Sequence, residues 1–236
     1  IAKDKKTTGL MVAVDATCSG LQILAGLARD KSTAELVNVV PSSKPSDAYK
    51  AVAEKAKEFL PTYMHRWMNR SVCKRTVMTI PYNATKDSSR KYIREALLEE
   101  GIDPTKDELT QVVNAVYNSM DAIVPGPMQV MRWIKKHVGQ YIRNGATEVE
   151  WVTPSGFVVN QRRDDIETEQ MELQLLGRTR VRLPTGKTSP SPNKHKSSTA
   201  PNYIHSFDAS ILHRSFTKFD EPFTVIHDSV LCRAGD

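Results

Sequence analysis

Apolar positions fall along this chain in two patterns: short continuous runs, and longer stretches of helical period. Gly9-Leu-Met-Val-Ala-Val-Asp15 is a continuous apolar run that ends in an acid. Such a run predicts a buried strand with Asp15 at its carboxyl end. A polar, basic lead-in at 3–8 precedes it. After a turn at Cys18-Ser19-Gly20, residues Leu21, Leu24, Leu27 and Ala28 recur at helical spacing, and 36–40 is a second short apolar run closed by Pro41. Ser46 stands where it can cap a helix carrying Tyr49, Val52, Ala53, Ala56, Phe59 and Leu60, which Pro61 stops. Arg70, Lys74, Met78 and Tyr82 are spaced i, i+4, i+8 and i+12, which lines them up along one side of a helix. Ser89 is placed to cap a helix ending near Gly101, and Thr105-x-x-Glu108 reads as a capping box for a helix running to Ile123. Pro127 and Gly145 bracket another, with Val130, Trp133, Ile134, Val138 and Ile142 on its apolar face. The middle of the chain is therefore mostly helical, and its apolar stripes are simplest as core.

The last third changes period. Segments 148–153 and 157–161 alternate around Pro154-Ser155-Gly156 and predict a hairpin. Met171, Leu173 and Leu175 alternate as a further strand. The basic, Pro-, Ser- and Thr-rich stretch 181–196 predicts an exposed, mobile loop, and 200–216 is helical again, with His205 and His213 exposed or half exposed. Phe223-Thr-Val-Ile-His227-Asp228-Ser229-Val-Leu-Cys232 predicts a hairpin with His-Asp at its tight turn. The expected fold class is α+β.

Composition narrows the class. A chain of 236 residues can form one large domain or two small ones with a sizeable core. A hydrophobic share of 39% and a charged share of 25% exclude a disordered or fibrous chain. The net charge of +6 suits a polyanionic partner such as nucleic acid. Cys18, Cys73 and Cys232 form no CxxC pair, which argues against a disulfide framework or a cysteine zinc site and fits a reducing compartment. No apolar run is long enough to span a membrane, and no signal peptide opens the sequence. The chain starts at Ile1 and stops at Asp236, just past a predicted strand, so it reads as a piece of something longer.

The candidate chemistry lies in three places. Two cations and an aromatic ring on one helical stripe suit a triphosphate followed by its sugar and base, although a basic helical face can also be plain solvated surface. Asp15 and Asp228 each follow an apolar run, so each sits where a sheet presents side chains at its edge. Two converging carboxylates make a hard, oxygen-rich site of the kind Mg²⁺ prefers, and a metal pair roughly 3.5–4 Å apart serves nucleotidyl transfer. The plain alternative is that Asp15 caps the next helix and Asp228 is a turn residue. Other motifs fail. Gly186-Lys187-Thr188 lacks the earlier glycine of a phosphate loop, since Val181 stands there. Ser19 with His227 and Asp228 lacks the nucleophile elbow of a hydrolase triad. His195, His205 and His213 lack metal-ligand spacing and read as surface or hydrogen-bonding histidines.

Taken in order, the motifs resemble those of single-subunit, bacteriophage-type DNA-directed RNA polymerases, a group that includes mitochondrial and plastid enzymes. Asp15-Ala-Thr-Cys18-Ser19-Gly20-Leu-Gln22 is similar to their first palm motif. Arg70-x-x-x-Lys74-Arg75-x-x-Met78-Thr79-x-x-Tyr82 resembles the fingers helix, and His227-Asp228-Ser229 resembles the second palm motif. Trp151 to Phe157 and Ala200 to Asp208 also resemble family segments, so the similarity spans nearly the whole chain. The resemblance implies a right-hand polymerase portion, incomplete at both ends: palm at 1–61, helical fingers at 62–145 and palm again at 146–236. It implies two Mg²⁺ ions held by Asp15 and Asp228 with the backbone carbonyl of Ala16. It implies Arg70 and Lys74 on the incoming triphosphate, with Lys74 as proton donor to pyrophosphate, and Tyr82 beside base and sugar. Tyr49 would lie near the nucleotide sugar, His205 would touch the nascent pair from the minor groove, and His227 would position the growing 3′ end. The implied partners are template DNA, product RNA and ribonucleoside triphosphates, with a partner chain or missing terminal segments completing the cleft and no membrane. The implied setting is the cytoplasm of an infected cell, with a mitochondrion or plastid as the other option.

Two residues depart from the family pattern: Pro81 removes a backbone donor before Tyr82, and Asn83 stands where a glycine is usual. The competing readings are a related family A DNA polymerase, which would carry His-Asp-Glu rather than His-Asp-Ser229, and a polymerase-like piece that binds nucleic acid and is inactive without a partner.

Overall fold

The computed structural model describes residues 10–174 and 177–234; the lead-in at 3–8, Gly9 and Leu175 lie outside them. In chain order the elements are β1 (Met11–Asp15), α1 (Ser19–Ala28), α2 (Lys31–Leu36), α3 (Ala48–Lys57), a 3-10 turn (Thr62–Trp67), α4 (Arg70–Thr79), α5 (Lys86–Glu99), α6 (Lys106–Ile123) and α7 (Pro125–Arg143). They continue with β2 (Val149–Val152), β3 (Val158–Gln161), β4 (Asp164–Leu173), β5 (Thr179–Pro190), α8 (Pro192–Phe216), β6 (Phe223–Ile226) and β7 (Ser229–Arg233). The described strands pair antiparallel, in the orders β1-β7-β6, β2-β3 and β4-β5. The fold is thus α+β, a helical body with antiparallel sheet.

The helical body is what the 3.6-residue period dictates. Leu24 of α1, Val52 of α3, Val72 and Val77 of α4, Ile93 and Leu97 of α5, and Val112 and Val116 of α6 are fully buried in one shared core. Each such side chain contributes about 1.5–3 kcal/mol relative to exposure. The Thr105–Glu108 capping box forms with both of its hydrogen bonds. Burying Val72, Cys73, Thr76 and Val77 turns Arg70, Lys74 and Met78 outward, because inward and outward sets alternate within each turn of α4. Burial also pushes the Cys73 thiol up to about 12, so it stays protonated.

Several expectations are corrected. The strand ending at Asp15 and the run before His227 are not buried: Val14 and Met11, and Val225 and Ile226, are exposed. A continuous apolar run reports a strand able to be covered on both faces. Cover of this sheet is partial: Val230 is buried and Phe223 stacks on Phe216 of α8. The cap of α3 is Asp47, which accepts from the Lys50 N–H, while Ser46 donates its own N–H to Asn38. The cap of α5 is Thr85, and Ser89 is buried against the Tyr117 hydroxyl. On α7, Met131, Ile134 and Ile142 are buried, but Trp133 is 62% exposed. The stretch 181–196 is not a mobile loop. Most of it is β5, paired with β4 and helped by Glu172 between Arg178 and Arg180, and Ser191 then caps α8. Its prolines are tolerated because Pro184 lies at the register shift and Pro190 at the strand end. Gly186-Lys187-Thr188 lies inside that strand. The helix predicted from 200 starts at Pro192 and contains Pro201.

Candidate active site

The two acids meet through strand pairing. In the β1–β7 register Asp15 lies opposite Ser229, and Asp228 is the turn residue just before Ser229. His227 takes φ 57, so the β6–β7 connection is tight enough to hold Asp228 at the sheet end. Asp15 and Asp228 line one small cavity of about 110 Å³ together with Ala16, Ser19, Gly20, Met78 and Tyr82. Asp15 does not cap α1, whose cap position is Cys18 with no side-chain bond. Asp228 is a turn residue and a cavity residue at once.

The turn after Asp15 is pinned from two sides. Gln22 Nε2 donates to the Val37 carbonyl and to Thr17 Oγ1, and the Tyr49 hydroxyl donates to the Thr17 carbonyl at 2.8 Å. Burial pushes the Tyr49 phenol well above its ordinary range, which keeps it a donor. A neighbouring cavity of about 250 Å³ runs from Asp15 and Ala16 past Tyr49 to Arg70, Lys74 and Met78. Arg70 is aimed rather than free: its Nε donates to Asp47 at 2.7 Å, and its guanidinium lies 5.3 Å from the centre of the Tyr49 ring. Burial raises the Asp47 carboxyl, but the Lys50 N–H and Arg70 outweigh it and hold it below the usual range. Lys74 is exposed and makes no ion pair among the described residues.

Tyr82 sits past the end of α4, on the turn that Asn83 closes at φ 66. Its ring stacks on His205 of α8, with centroids 4.8 Å apart and planes 21° apart. Burial lowers the His205 imidazole, His227 adds to this, and Asp228 opposes it. The same turn is tied to α8 through a proline. Pro201 has no N–H to give the Ser197 carbonyl one turn earlier, and Asn83 Nδ2 donates to that carbonyl at 3.0 Å. The departures noted in the sequence are thus accommodated, Pro81 being buried against Gly20 and Asn83 bridging to α8. Gly20 has no room for a side chain: a Cβ there would lie 2.9 Å from Pro81 Cβ and 3.2 Å from the Tyr82 ring.

The residues to which the resemblance gave roles, namely Asp15, Ala16, Tyr49, Arg70, Lys74, Tyr82, His205, His227 and Asp228, fall in or beside these two cavities, which share Asp15, Ala16 and Met78 in their linings. Sequence reasoning missed Asp208 and Asp47, and it raised Ser19 only as part of a rejected hydrolase triad and of the palm motif. Ser19 Oγ donates to Asp208 Oδ2, and burial raises the Asp208 carboxyl to about 6, with Asp228 adding to the rise. Its three-residue spacing from His205 on one helix was the available signal. His195 is no ligand: it is fully buried, with Nδ1 2.8 Å from the Ser191 carbonyl and Nε2 accepting the Arg163 N–H.

Among the described residues no three His, Cys, Asp or Glu side chains cluster to hold a metal. What the small cavity offers is a carboxylate pair beside backbone oxygens. That set fits Mg²⁺, which takes only one or two protein carboxylates and completes its shell with water and phosphate.

Comparison with known proteins gives a consistent result. A family model described as DNA-dependent RNA polymerase matches residues 3–236. The chain is 29% identical over 246 residues to the mitochondrial DNA-directed RNA polymerase of Homo sapiens, covering 96% of this chain and 20% of that protein. It is 28% identical over 283 residues to T7 RNA polymerase of Escherichia phage T7, covering 93% and 32%. It is 27% identical over 247 residues to the mitochondrial DNA-directed RNA polymerase 1B of Nicotiana tabacum, covering 94% and 24%. The chain therefore spans between a fifth and a third of the length of these relatives.

Proposed function

The chain belongs to the DNA-dependent RNA polymerase family, and from that premise we propose that it supplies the catalytic portion of a template-directed polymerase, joining ribonucleoside triphosphates to an RNA 3′ end. The observation that carries this is the convergence of Asp15 and Asp228 on one cavity, with Arg70, Lys74 and Tyr82 along its continuation. Asp15 and Asp228, with the carbonyl of Ala16, would hold two Mg²⁺ ions, which supply charge neutralisation and activation of the attacking oxygen when bound. Arg70, steadied by Asp47 and Tyr49, grips the triphosphate, and Lys74 is the cation free to follow the leaving pyrophosphate and hand it a proton. Tyr82, stacked on His205, supports base and sugar; Tyr49 backs the nucleotide from the far side; His227 steadies the 3′ end. In this reading the palm comprises 1–61 and 146–236, and the helical segment 62–145, which includes α4 to α7, forms the fingers. DNA template and RNA product would bind across the open side. Relatives from phages and mitochondria leave an infected host or an organelle as the setting, and no helix among the described residues could cross a membrane.

A second reading has its own support. The exposed apolar side chains of Met11, Val14, Val225 and Ile226 on the β1-β7-β6 sheet favour a piece that needs further protein to complete the cleft. One assay separates the two: primer extension on a DNA template with Mg²⁺ and ribonucleotides. Extension that disappears in Asp228→Ala supports the polymerase and its metal site; nucleic-acid binding without extension under any complement of partner chains supports the second.

A further inference from the structure

The hydroxyl of Tyr82 has a fixed polarity. Tyr82 Oη lies 3.0 Å from Ser19 Oγ, and the Ser19 hydroxyl donates to Asp208 Oδ2 at 3.2 Å. A serine carries one hydroxyl proton, and a carboxylate only accepts. With the Ser19 proton committed to Asp208, Ser19 Oγ can meet Tyr82 only as an acceptor. The Tyr82 proton therefore points at Ser19, away from the cavity. Gly20, in the first turn of α1, lies against the same phenolic oxygen. What Tyr82 Oη shows to the cavity is a lone pair and no proton.

We propose that Asp208 and Ser19 are positioning residues that lock the Tyr82 hydroxyl as an acceptor toward the nucleotide sugar, so that a sugar hydroxyl is bound as a donor and a substituent that cannot donate is refused. Two further observations support the assignment. Gly20 leaves no space for a side chain that would part Tyr82 from α1. The ring stack on His205 holds the phenol in the same orientation from the other side.

The inference rests on the polymerase reading, and its test uses two measurements on the full chain. The first is single-nucleotide incorporation with ribo-, 2′-deoxy- and 2′-fluoro-nucleoside triphosphates by the wild type, Asp208→Leu, Ser19→Ala, Tyr82→Phe and the Asp208→Leu/Tyr82→Phe pair; leucine is close to aspartate in shape and, unlike asparagine, cannot accept from Ser19. Asp208→Leu and Ser19→Ala should each lower the ribo-over-fluoro preference by up to about tenfold, the scale of one hydrogen bond. Adding Asp208→Leu to Tyr82→Phe should change it less than about twofold, since the hydroxyl being oriented is already gone. Wild-type preference in Asp208→Leu, or an equal loss in the Tyr82→Phe background, would overturn the proposal. The second measurement needs no activity. The Tyr82 hydroxyl proton, assigned by its loss in Tyr82→Phe, should show a nuclear Overhauser contact to the Ser19 β protons that vanishes in Asp208→Leu. A hydroxyl proton directed into the cavity overturns the proposal. Absence of any Mg²⁺-dependent incorporation by the wild type would count against the polymerase reading and leave the hydroxyl polarity to be decided by this contact alone.

Discussion

Asp47 does two jobs with two oxygens: Oδ1 accepts the Lys50 N–H at the start of α3, and Oδ2 holds Arg70 at the mouth of the larger cavity. Asp47→Ala should cost about 1 kcal/mol as a lost cap. It should also raise the KM for nucleotide more than it lowers kcat, because a freed Arg70 must be ordered on each binding event. Thermal melts and steady-state kinetics on one variant check both halves. Asp208 makes the opposite trade. Burial lifts its carboxyl from the ordinary 3.8 to about 6, so between those values the folded chain holds a proton the unfolded chain has released. Stability from this group therefore falls as pH rises from about 4 through about 6. Asp208→Asn should remove that fall, so the wild-type-minus-variant difference in melting temperature should grow more negative across that window and stay level above it. Thermal melts at pH 4, 5, 6 and 7 would show it. Asp30 and Asp47, both held below their usual range, bias the whole-chain profile the other way, which is why the difference and not the raw curve is informative.

At the scale of elements, the link between the end of α4 and α8 rests on a donor that one helix lacks and the other lends. Asn83 accepts a left-handed backbone and offers the amide that the Ser197 carbonyl needs because Pro201 has none. Asn83→Gly keeps the backbone angle and loses the bond, so it should destabilise by about 0.5–1.5 kcal/mol and weaken the Tyr82–His205 stack. Asn83→Val should cost more, since a β-branched residue is strained at positive φ. Paired Asn83→Gly and Pro201→Ala variants provide the check: restoring the N–H at 201 should recover most of the loss from Asn83→Gly. The prediction fails if the two changes simply add.

At the scale of the molecule, the helical body gives rigid backing to α1 and α4, whose residues line the cavities, while the sheet bearing both acids is only partly covered. A net charge of +6 adds a long-range term. Binding of a template–product duplex should therefore weaken steeply with salt, by roughly one unit of log affinity per log salt for each phosphate neutralised. Lys74→Ala should raise the nucleotide KM while leaving the salt slope for duplex binding nearly unchanged, because its side chain lines the cavity proposed for the triphosphate. Fluorescence anisotropy at several salt concentrations separates the two effects, and a slope that drops with Lys74→Ala would place this lysine on the duplex instead.

Much of this was legible along the chain. The period of 3.6 fixed α4 with its outward Arg70, Lys74 and Met78, the Thr105–Glu108 pattern marked the start of α6, and the run into His227-Asp228 marked a hairpin. Each of these signals is complete within a few residues, because helix periodicity, capping and tight turns are local physics. Other features were not local. The stretch 181–196 looked like a loop because its composition is polar, and it became a strand because β4 supplied a partner and opposite charges. The acids were readable as strand-end residues, but only the register of β1 on β7 brings Asp15 beside Asp228. Ser19 and Asp208 are 189 positions apart, and no spacing rule links them; packing of α8 against α1 does. The sequence by itself determined which side chains each element offers and on which side. The tertiary structure decided which of them touch, because hydrogen bonds between distant segments exist only once loop closure and core packing have brought those segments within 3 Å or so of each other.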